Sequence, residues 1–243
     1  AYEISACLVG SEMCIRDSTF SFCRKPSADL LYAPEQIDPG WFSQAFALHF
    51  CSVSLVDSPM RYAHLAAITA AREAGAILSF DLNLRFPLWP NREQLRQTVW
   101  QFLPLTHILK LSDEELPFLT GTEDIEAALP ALFTGDVQLV LYTCGSKGAR
   151  AYTRTASARA RSPKVTAVDT TGAGDGFIGS FLWQLQRDGV ITAELPKLSR
   201  KRLTEYLAFS NRFCAISVQH HGALDSYPTL AQMEQPETDF PLP

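Results

Sequence analysis

The chain has 243 residues, of which 47% are hydrophobic, enough to bury a full core and compatible with one large α/β domain. Its formal charge of −5 and sequence pI near 5.5 argue mildly against a nucleic-acid or anionic-membrane partner, and no Lys/Arg cluster overrides that balance. No run reaches the roughly 18 apolar residues of a membrane span. Cys7, Cys14, Cys23, Cys51, Cys144 and Cys214 are scattered without a C-x-x-C pair, so neither a zinc site nor a redox motif is indicated. A reduced, cytoplasmic setting fits, and the N-terminus lacks the basic region and apolar core of a signal peptide.

Residues 1–18 mix cysteines, charges and small residues without a period and read as an irregular tail. Leu8 to Ser18 also resembles translated sequencing-adapter sequence, so 1–18 is kept out of the functional argument. From Thr19 the chain becomes interpretable as one domain over 19–235, with a short tail at 236–243. Residues 19–23 alternate like a half-buried strand, and Arg24-Lys25-Pro26-Ser27-Ala28-Asp29 then turns away. A strand is predicted over 48–53, and a helix over 59–74 with Gly75 in a C-cap position. The next strand, 76–81, ends in Asp81 and is followed by Asn83 and Arg85. A carboxylate, an amide and a guanidinium past a strand's C-terminal end lie where open α/β sheets place ligands, although a polar loop has the same composition.

Asn91 can cap a helix carrying Leu95, Val99 and Phe102. Residues 107–111, which include Lys110, read as a buried strand, and Ser112 with Glu115 three residues later makes a capping box before Leu116. A strongly apolar strand over 137–142 runs into Thr143-Cys144-Gly145-Ser146-Lys147-Gly148, where a hairpin turn explains both glycines, and then into 149–153. Residues 155–162 read as a polar crossing towards a short β-branched strand at 164–168.

The string Val168-Asp169-Thr170-Thr171-Gly172-Ala173-Gly174-Asp175-Gly176-Phe177 follows. Phe177, Ile178, Phe181, Leu182 and Leu185 mark one helical face, so the Gly-Ala-Gly sits at a helix N-terminus. There unpaired N–H groups and the positive end of the helix dipole suit a phosphate or a developing anion, with Asp175 beside it as candidate base. Capping alone explains a Gly and an Asp, but not three small residues with two carboxylates. Gly174-Asp175-Gly176-Phe177-Ile178-Gly179 also matches G-x-G-x-x-G, yet Asp175 would repel a pyrophosphate there, and Gly145 to Gly148 is no Walker A loop. A helix over 199–217, with Leu203, Tyr206, Leu207, Phe209, Phe213 and Ile216 inward, leads to Gln219-His220-His221-Gly222. Adjacent histidines diverge and no third ligand has helical spacing, which argues against a transition metal.

Asp-Thr-Thr-Gly-Ala-Gly-Asp-x-Phe resembles the C-terminal signature of the ribokinase/PfkB family of sugar kinases. The resemblance implies a ribokinase-like three-layer α/β/α fold with a mainly parallel central sheet. It implies Asp175 as general base and the amides of Gly172, Ala173 and Gly174 as the anion hole for the transferring phosphoryl group. Asp81, Asn83 and Arg85 would line the cleft near sugar and phosphate, and Arg24 would belong to a lid over the sugar. Lys110, Ser112, Thr143, Gly145, Gly148 and Gly174 would lie along ATP. Glu115 matches the acid of an Asn-x-x-Glu motif at the Mg²⁺ end, acting indirectly, while Ser112 departs from its asparagine. Asp169, Thr171, Ser217, His220, Gly222 and Ser226 would build a K⁺ site, and homodimers would pair through the lid.

Arg-Lys-Pro-Ser-Ala-Asp and Ser-Phe-Asp-x-Asn-x-Arg look most like the bacterial fructokinase branch, which implies ATP-dependent phosphorylation of fructose at O6. Ketodeoxygluconate, ribose and aminoimidazole riboside are alternative substrates; a non-catalytic nucleotide-binding remnant and a dinucleotide-dependent oxidoreductase are alternative functions. The family's first strand with a sugar-binding Asp, and its Gly-Gly motif followed by Asn, do not occur upstream of Thr19. The expectation is therefore a fold lacking its N-terminal strands and most of the lid, in a polypeptide that binds nucleotide weakly and phosphorylates sugar poorly or not at all.

Overall fold

Four apolar stretches, each bounded by turn residues, form the centre of the molecule. They are β3 (Ala47–Cys51), β4 (Ile77–Asp81), β5 (Ile108–Ser112) and β6 (Leu139–Thr143), and they pair in parallel in that order. β7 (Ala149–Tyr152) and β8 (Ser157–Ala160) extend the sheet antiparallel, giving the order β3-β4-β5-β6-β7-β8. The computed structural model describes residues 10–14, 17–21 and 27–235. Ahead of the sheet, β1 (Gly10–Cys14) pairs antiparallel with β2 (Asp17–Ser21). The expected irregular tail at 1–18 thus contains a strand and the start of its partner, and the strand expected over 19–23 starts and ends two residues early. Arg24, Lys25 and the 236–243 tail lie outside the described residues.

Because successive side chains on a strand point to opposite faces, the sheet sorts its residues between two cores. Leu78 and Phe80, Leu109 and Leu111, and Val140 and Tyr142 face one core. That core is closed by α2 (Pro59–Glu73), α3 (Arg92–Phe102), α4 (Leu116–Thr120) and α5 (Ile125–Leu132). The short α1 (Ala28–Leu31) packs on α2. Ile77, Ile108, Leu139 and Leu141 face the other core, closed by α6 (Ala173–Arg187) and α7 (Arg200–Ser217), while α8 (Leu230–Glu234) packs on α7. The result is three layers, as expected.

Local signals explain most boundaries. Pro59 occupies the first turn of α2, and Gly75 beyond its end takes φ +82°, which a side chain would strain. Asn91 Oδ1 accepts the Gln94 N–H at 2.8 Å and starts α3; Ser199 Oγ accepts the Arg202 N–H at 3.3 Å and starts α7. Two further expectations fail. Residues 155–162, read as a crossing, contain β8, whereas 164–168 form no strand. The N–H groups of Val168 and Asp169 both donate to Val218 O, so α7's C-terminus takes the bonds that a neighbouring strand would have taken.

Candidate active site

On the α6–α7 face the apolar Ile77 and Ile108 give way to Ser79 and Asp81 on β4 and to Lys110 on β5 as the parallel strands run towards their C-terminal ends. Asp81 closes β4 and Lys110 stands opposite it on β5, both almost fully buried, with Lys110 Nζ donating to Asp81 Oδ2 at 2.8 Å. Glu115 and Asp175 act electrostatically on both members of the pair. Burial raises the Asp81 carboxyl to about 6 despite the ammonium beside it. Burial also opposes the charge on Lys110, but Asp81, Glu115 and Asp175 together outweigh it and raise its pKa. One cation therefore serves three carboxylates.

Beyond β4 the chain bends sharply. Asn83 adopts φ +38°, a conformation that asparagine tolerates better than most residues, and its N–H donates to Asp81 Oδ1 at 3.2 Å. Glu115 then clamps the loop: one carboxylate oxygen accepts the Leu84 N–H at 2.9 Å and the other the Ser112 N–H at 2.8 Å. The Glu115 N–H returns to Ser112 Oγ at 3.2 Å, so the reciprocal bonding of a capping box is present. Arg85 Nη1 donates to Leu84 O, which keeps its guanidinium at the same loop.

The Gly-Ala-Gly turn lies at the start of α6, as expected. Gly172 takes φ +76°, and a Cβ there would sit 2.8 Å from both Ala223 Cβ and Tyr227 Oη. Lys110 Nζ would lie 3.1 Å from a Cβ on Gly174, so the ammonium rests directly against the turn. The three amides are not equivalent. Ala173 N–H donates to Thr170 O at 3.2 Å, whereas those of Gly172 and Gly174 take no backbone acceptor among the described residues. Asp175, in the first turn, is exposed.

Lys110, Ser112, Thr143, Gly145, Gly148 and Gly174, expected along a nucleotide, all line one cavity of about 620 Å³. Gly145 (φ +51°) and Gly148 (φ +95°) shape the β6–β7 turn along its wall, and a Cβ on Gly148 would meet Ala160 O at 2.1 Å. Asp175 opens instead onto a second hollow of about 400 Å³, walled by Trp183, Phe209, Phe213 and Tyr227. Phe209 and Phe213, expected inward, are half-buried along this hollow, while Asn211 and Ser210 take the inward face of α7.

The 168–171 and 217–226 segments, from which a cation site was expected, lie against each other. Asp169 Oδ1 accepts the Thr171 N–H at 2.9 Å and Oδ2 the Gly222 N–H at 3.0 Å. Hydrogen bonds from Thr171, then from Gly222, hold the Asp169 carboxyl below its usual value. Ser217 Oγ and Ser226 Oγ lie 2.7 Å apart, and His220 N–H donates to Ser217 O. These are hard oxygen donors, which fit an alkali cation better than a transition metal. Gly222, however, turns its N–H rather than its carbonyl to Asp169. Among the described residues no group of three or more His, Cys, Asp or Glu side chains is placed to hold a metal ion.

Sequence reasoning missed several residues. His49 on β3, with Nδ1 3.0 Å from Ser79 Oγ, lies within electrostatic reach of Asp175 and Lys110. Asn211 and Cys214 wall the larger cavity, and Cys214 Sγ donates to Ala173 O at 3.2 Å. Asn211 carried a legible signal, a polar residue four positions beyond Leu207 on a buried helical face; Cys214 carried none. Among the described residues no helix is long and apolar enough to cross a membrane.

The model of the pfkB family carbohydrate kinases matches residues 5–230. The chain is 39% identical over 217 residues to "Probable fructokinase-4" of Arabidopsis thaliana, covering 88% of this chain and 65% of that protein. Fructokinase with bound ATP from Xylella fastidiosa superposes with a TM-score of 0.83 at 34% identity, over 89% of this chain and 69% of that one. Fructokinase from Vibrio cholerae O395, in its fructose-, ADP- and calcium-bound form, gives 0.76 at 33% identity, over 91% and 69%. The chain thus spans just under two thirds of the length of the first of these relatives.

Proposed function

The chain belongs to the pfkB family of carbohydrate kinases, and on that premise we propose that the whole protein transfers the γ-phosphoryl group of ATP to a primary hydroxyl of a sugar, D-fructose at O6. The observation that carries this reading is the gathering of Lys110, Ser112, Thr143, Gly145, Gly148 and Gly174 around one cavity at the N-terminus of α6. Asp175 stands one residue further, on the next hollow. The fructokinases from Xylella fastidiosa and Vibrio cholerae, with ATP and with fructose and ADP respectively, support the choice of ligands.

In this mechanism Asp175 accepts the proton of the sugar hydroxyl as its oxygen bonds to the γ-phosphorus, while the bond from that phosphorus to the β,γ-bridging oxygen breaks and ADP departs. Phosphoryl transfer depends chiefly on positioning and on stabilising charge over the transferred group. The Gly172 and Gly174 amides, the dipole of α6 and the Lys110 ammonium supply positive potential there. When bound, Mg²⁺ neutralises phosphate charge. Glu115, with both oxygens already taken by amides, shapes the loop beside the phosphates rather than offering a free ligand. Asp169, Thr171, Ser217, Ser226 and the His220 region would hold K⁺ next to the turn.

Calorimetric titration with a non-hydrolysable Mg·ATP analogue in potassium buffer, with and without fructose, tests the reading. Analogue binding that fructose tightens is the expected result for a complete site. Analogue binding indifferent to fructose would leave a nucleotide site only, and no analogue binding would overturn the reading.

A further inference from the structure

We infer that Tyr227 is a positioning residue for the anion-binding turn, an inference that rests on the phosphoryl-binding role proposed for that turn. Its hydroxyl donates to Gly172 O at 2.8 Å, across 55 positions of sequence. The same carbonyl accepts the Gly176 N–H at 2.8 Å, the first intrahelical bond of α6. A peptide unit is planar and trans, so gripping the Gly172 carbonyl fixes the direction of the Ala173 N–H on the opposite side. That N–H meets Thr170 O at 3.2 Å, which closes the turn. With this peptide locked at both ends, the Gly172 and Gly174 amides on either side of it keep one orientation, and both are left without a backbone acceptor among the described residues.

The grip is sterically specific as well. Gly172 occupies a left-handed conformation that glycine alone adopts without cost, and Tyr227 Oη stands where its side chain would go. The Tyr227 ring packs against Phe213 with centroids 5.3 Å apart, and a Cβ on Gly176 would meet both rings. The first turn of α6 is thus held from two directions, by Lys110 against Gly174 and by Tyr227 against Gly172 and Gly176. Preorganised donors are effective because they need no reorientation when the anion arrives. A turn held on one side only would have to be ordered by the anion itself.

The experiment compares the unmodified chain with Tyr227→Phe, which removes only the hydroxyl, and with Phe213→Leu, which loosens the ring packing but keeps it. The readouts are amide NMR shifts at Gly172 and Gly174 on titration with inorganic phosphate, amide hydrogen exchange across 172–175, Mg·ADP affinity by calorimetry, and melting temperature. Tyr227→Phe is expected to weaken phosphate binding about fivefold or more and to accelerate exchange at Ala173, with Mg·ADP affinity held within about twofold. Phe213→Leu is expected to lower the melting temperature without the phosphate-specific loss. Wild-type phosphate affinity and exchange in Tyr227→Phe would overturn the inference, as would equal losses of phosphate affinity in both variants. Absence of Mg·ADP binding in the unmodified chain would instead strike the kinase reading, while the exchange comparison would still decide whether Tyr227 orders the turn.

Discussion

Asp81 and Lys110 are register partners on adjacent parallel strands, and their side chains close a 2.8 Å ion pair at the point where α6 begins. The pair is asymmetric, because Glu115 and Asp175 also press on it and Lys110 is the cation they share. Removing the cation should therefore hurt far more than removing the carboxylate. Lys110→Met is expected to destabilise the fold by about 3–5 kcal/mol, as for other buried pairs broken on one side. It should also weaken Mg·ADP binding, since the ammonium rests against Gly174. Denaturant unfolding and calorimetry check the two effects.

The same asymmetry gives a pH dependence. The Asp81 carboxyl is raised from 3.8 to about 6 in the folded chain. The folded state thus holds this proton more tightly than the unfolded state does. Its contribution to stability is fully present below pH 3.8 and is lost as pH rises through about 6. Asp81→Asn, which stands in for the protonated acid, should escape that loss. Its stability relative to the unmodified chain is expected to rise between those limits, by at most about 1.4 kcal/mol for each unit of pKa shift. A stability difference that stays flat across that range would refute the assignment.

Asp175 raises the Asp81 pKa and is itself exposed at the first turn of α6. Asp175→Asn removes the proposed proton acceptor without disturbing the core. The rate of phosphoryl transfer by the active protein is expected to fall on the order of 10²–10⁴-fold. Independently of activity, the Asp81 carboxyl should titrate lower in Asp175→Asn, which carbon-detected NMR reads directly. A variant that keeps most of its turnover would remove Asp175 from the role of base.

β4, β5 and β6 were legible in the sequence because each is a short apolar run between turn residues, buried on both faces, whereas β8, half-exposed and rich in Ala and Arg, was not. The candidate nucleotide residues were legible only through the family resemblance, since Lys110 lies mid-strand and Gly174 opens a helix. Residues 164–168 misled: their β-branched composition suits a strand, but Val218 O takes the amide bonds of Val168 and Asp169. The α7 wall of the cavity, Asn211 and Cys214, was hidden because its proximity to Gly145 is purely tertiary. Tyr227 was equally hidden, since nothing local marks a tyrosine that bonds a carbonyl 55 residues away. The unequal states of the three turn amides also depend on a contact, Ala173 N–H to Thr170 O, that motif spacing does not encode.

Asp169 ties the segment ahead of the turn to the loop after α7 through Thr171 and Gly222. Those bonds lower its pKa from 3.8, so the stability it contributes is present above that value and is lost as pH falls through the lower folded-state value. Asp169→Ala should cost about 1–2 kcal/mol at neutral pH for the two lost charge-assisted bonds at a partly exposed site. The cost should shrink in strong acid. If K⁺ binds beside this carboxylate, the unmodified chain is expected to melt higher in potassium than in a large organic cation, and Asp169→Ala is expected to lose that difference.

Glu115 separates two accounts of the acid in this motif. As a metal-end residue it would matter only with Mg²⁺ present, whereas the geometry makes it a clamp joining Leu84 N–H at 2.9 Å to Ser112 N–H at 2.8 Å. Glu115→Gln replaces one acceptor oxygen by an NH₂ group, which must face an amide donor and leave it unpaired. The expected loss is about 1–3 kcal/mol, with faster exchange of the Leu84 or Ser112 amide in the complete absence of Mg²⁺. Removing the Glu115 charge should also lower the Asp81 pKa, which that charge raises. Exchange rates and stability unchanged without Mg²⁺, together with weakened Mg·ADP binding, would instead assign Glu115 to the metal end and leave the clamp without energetic weight.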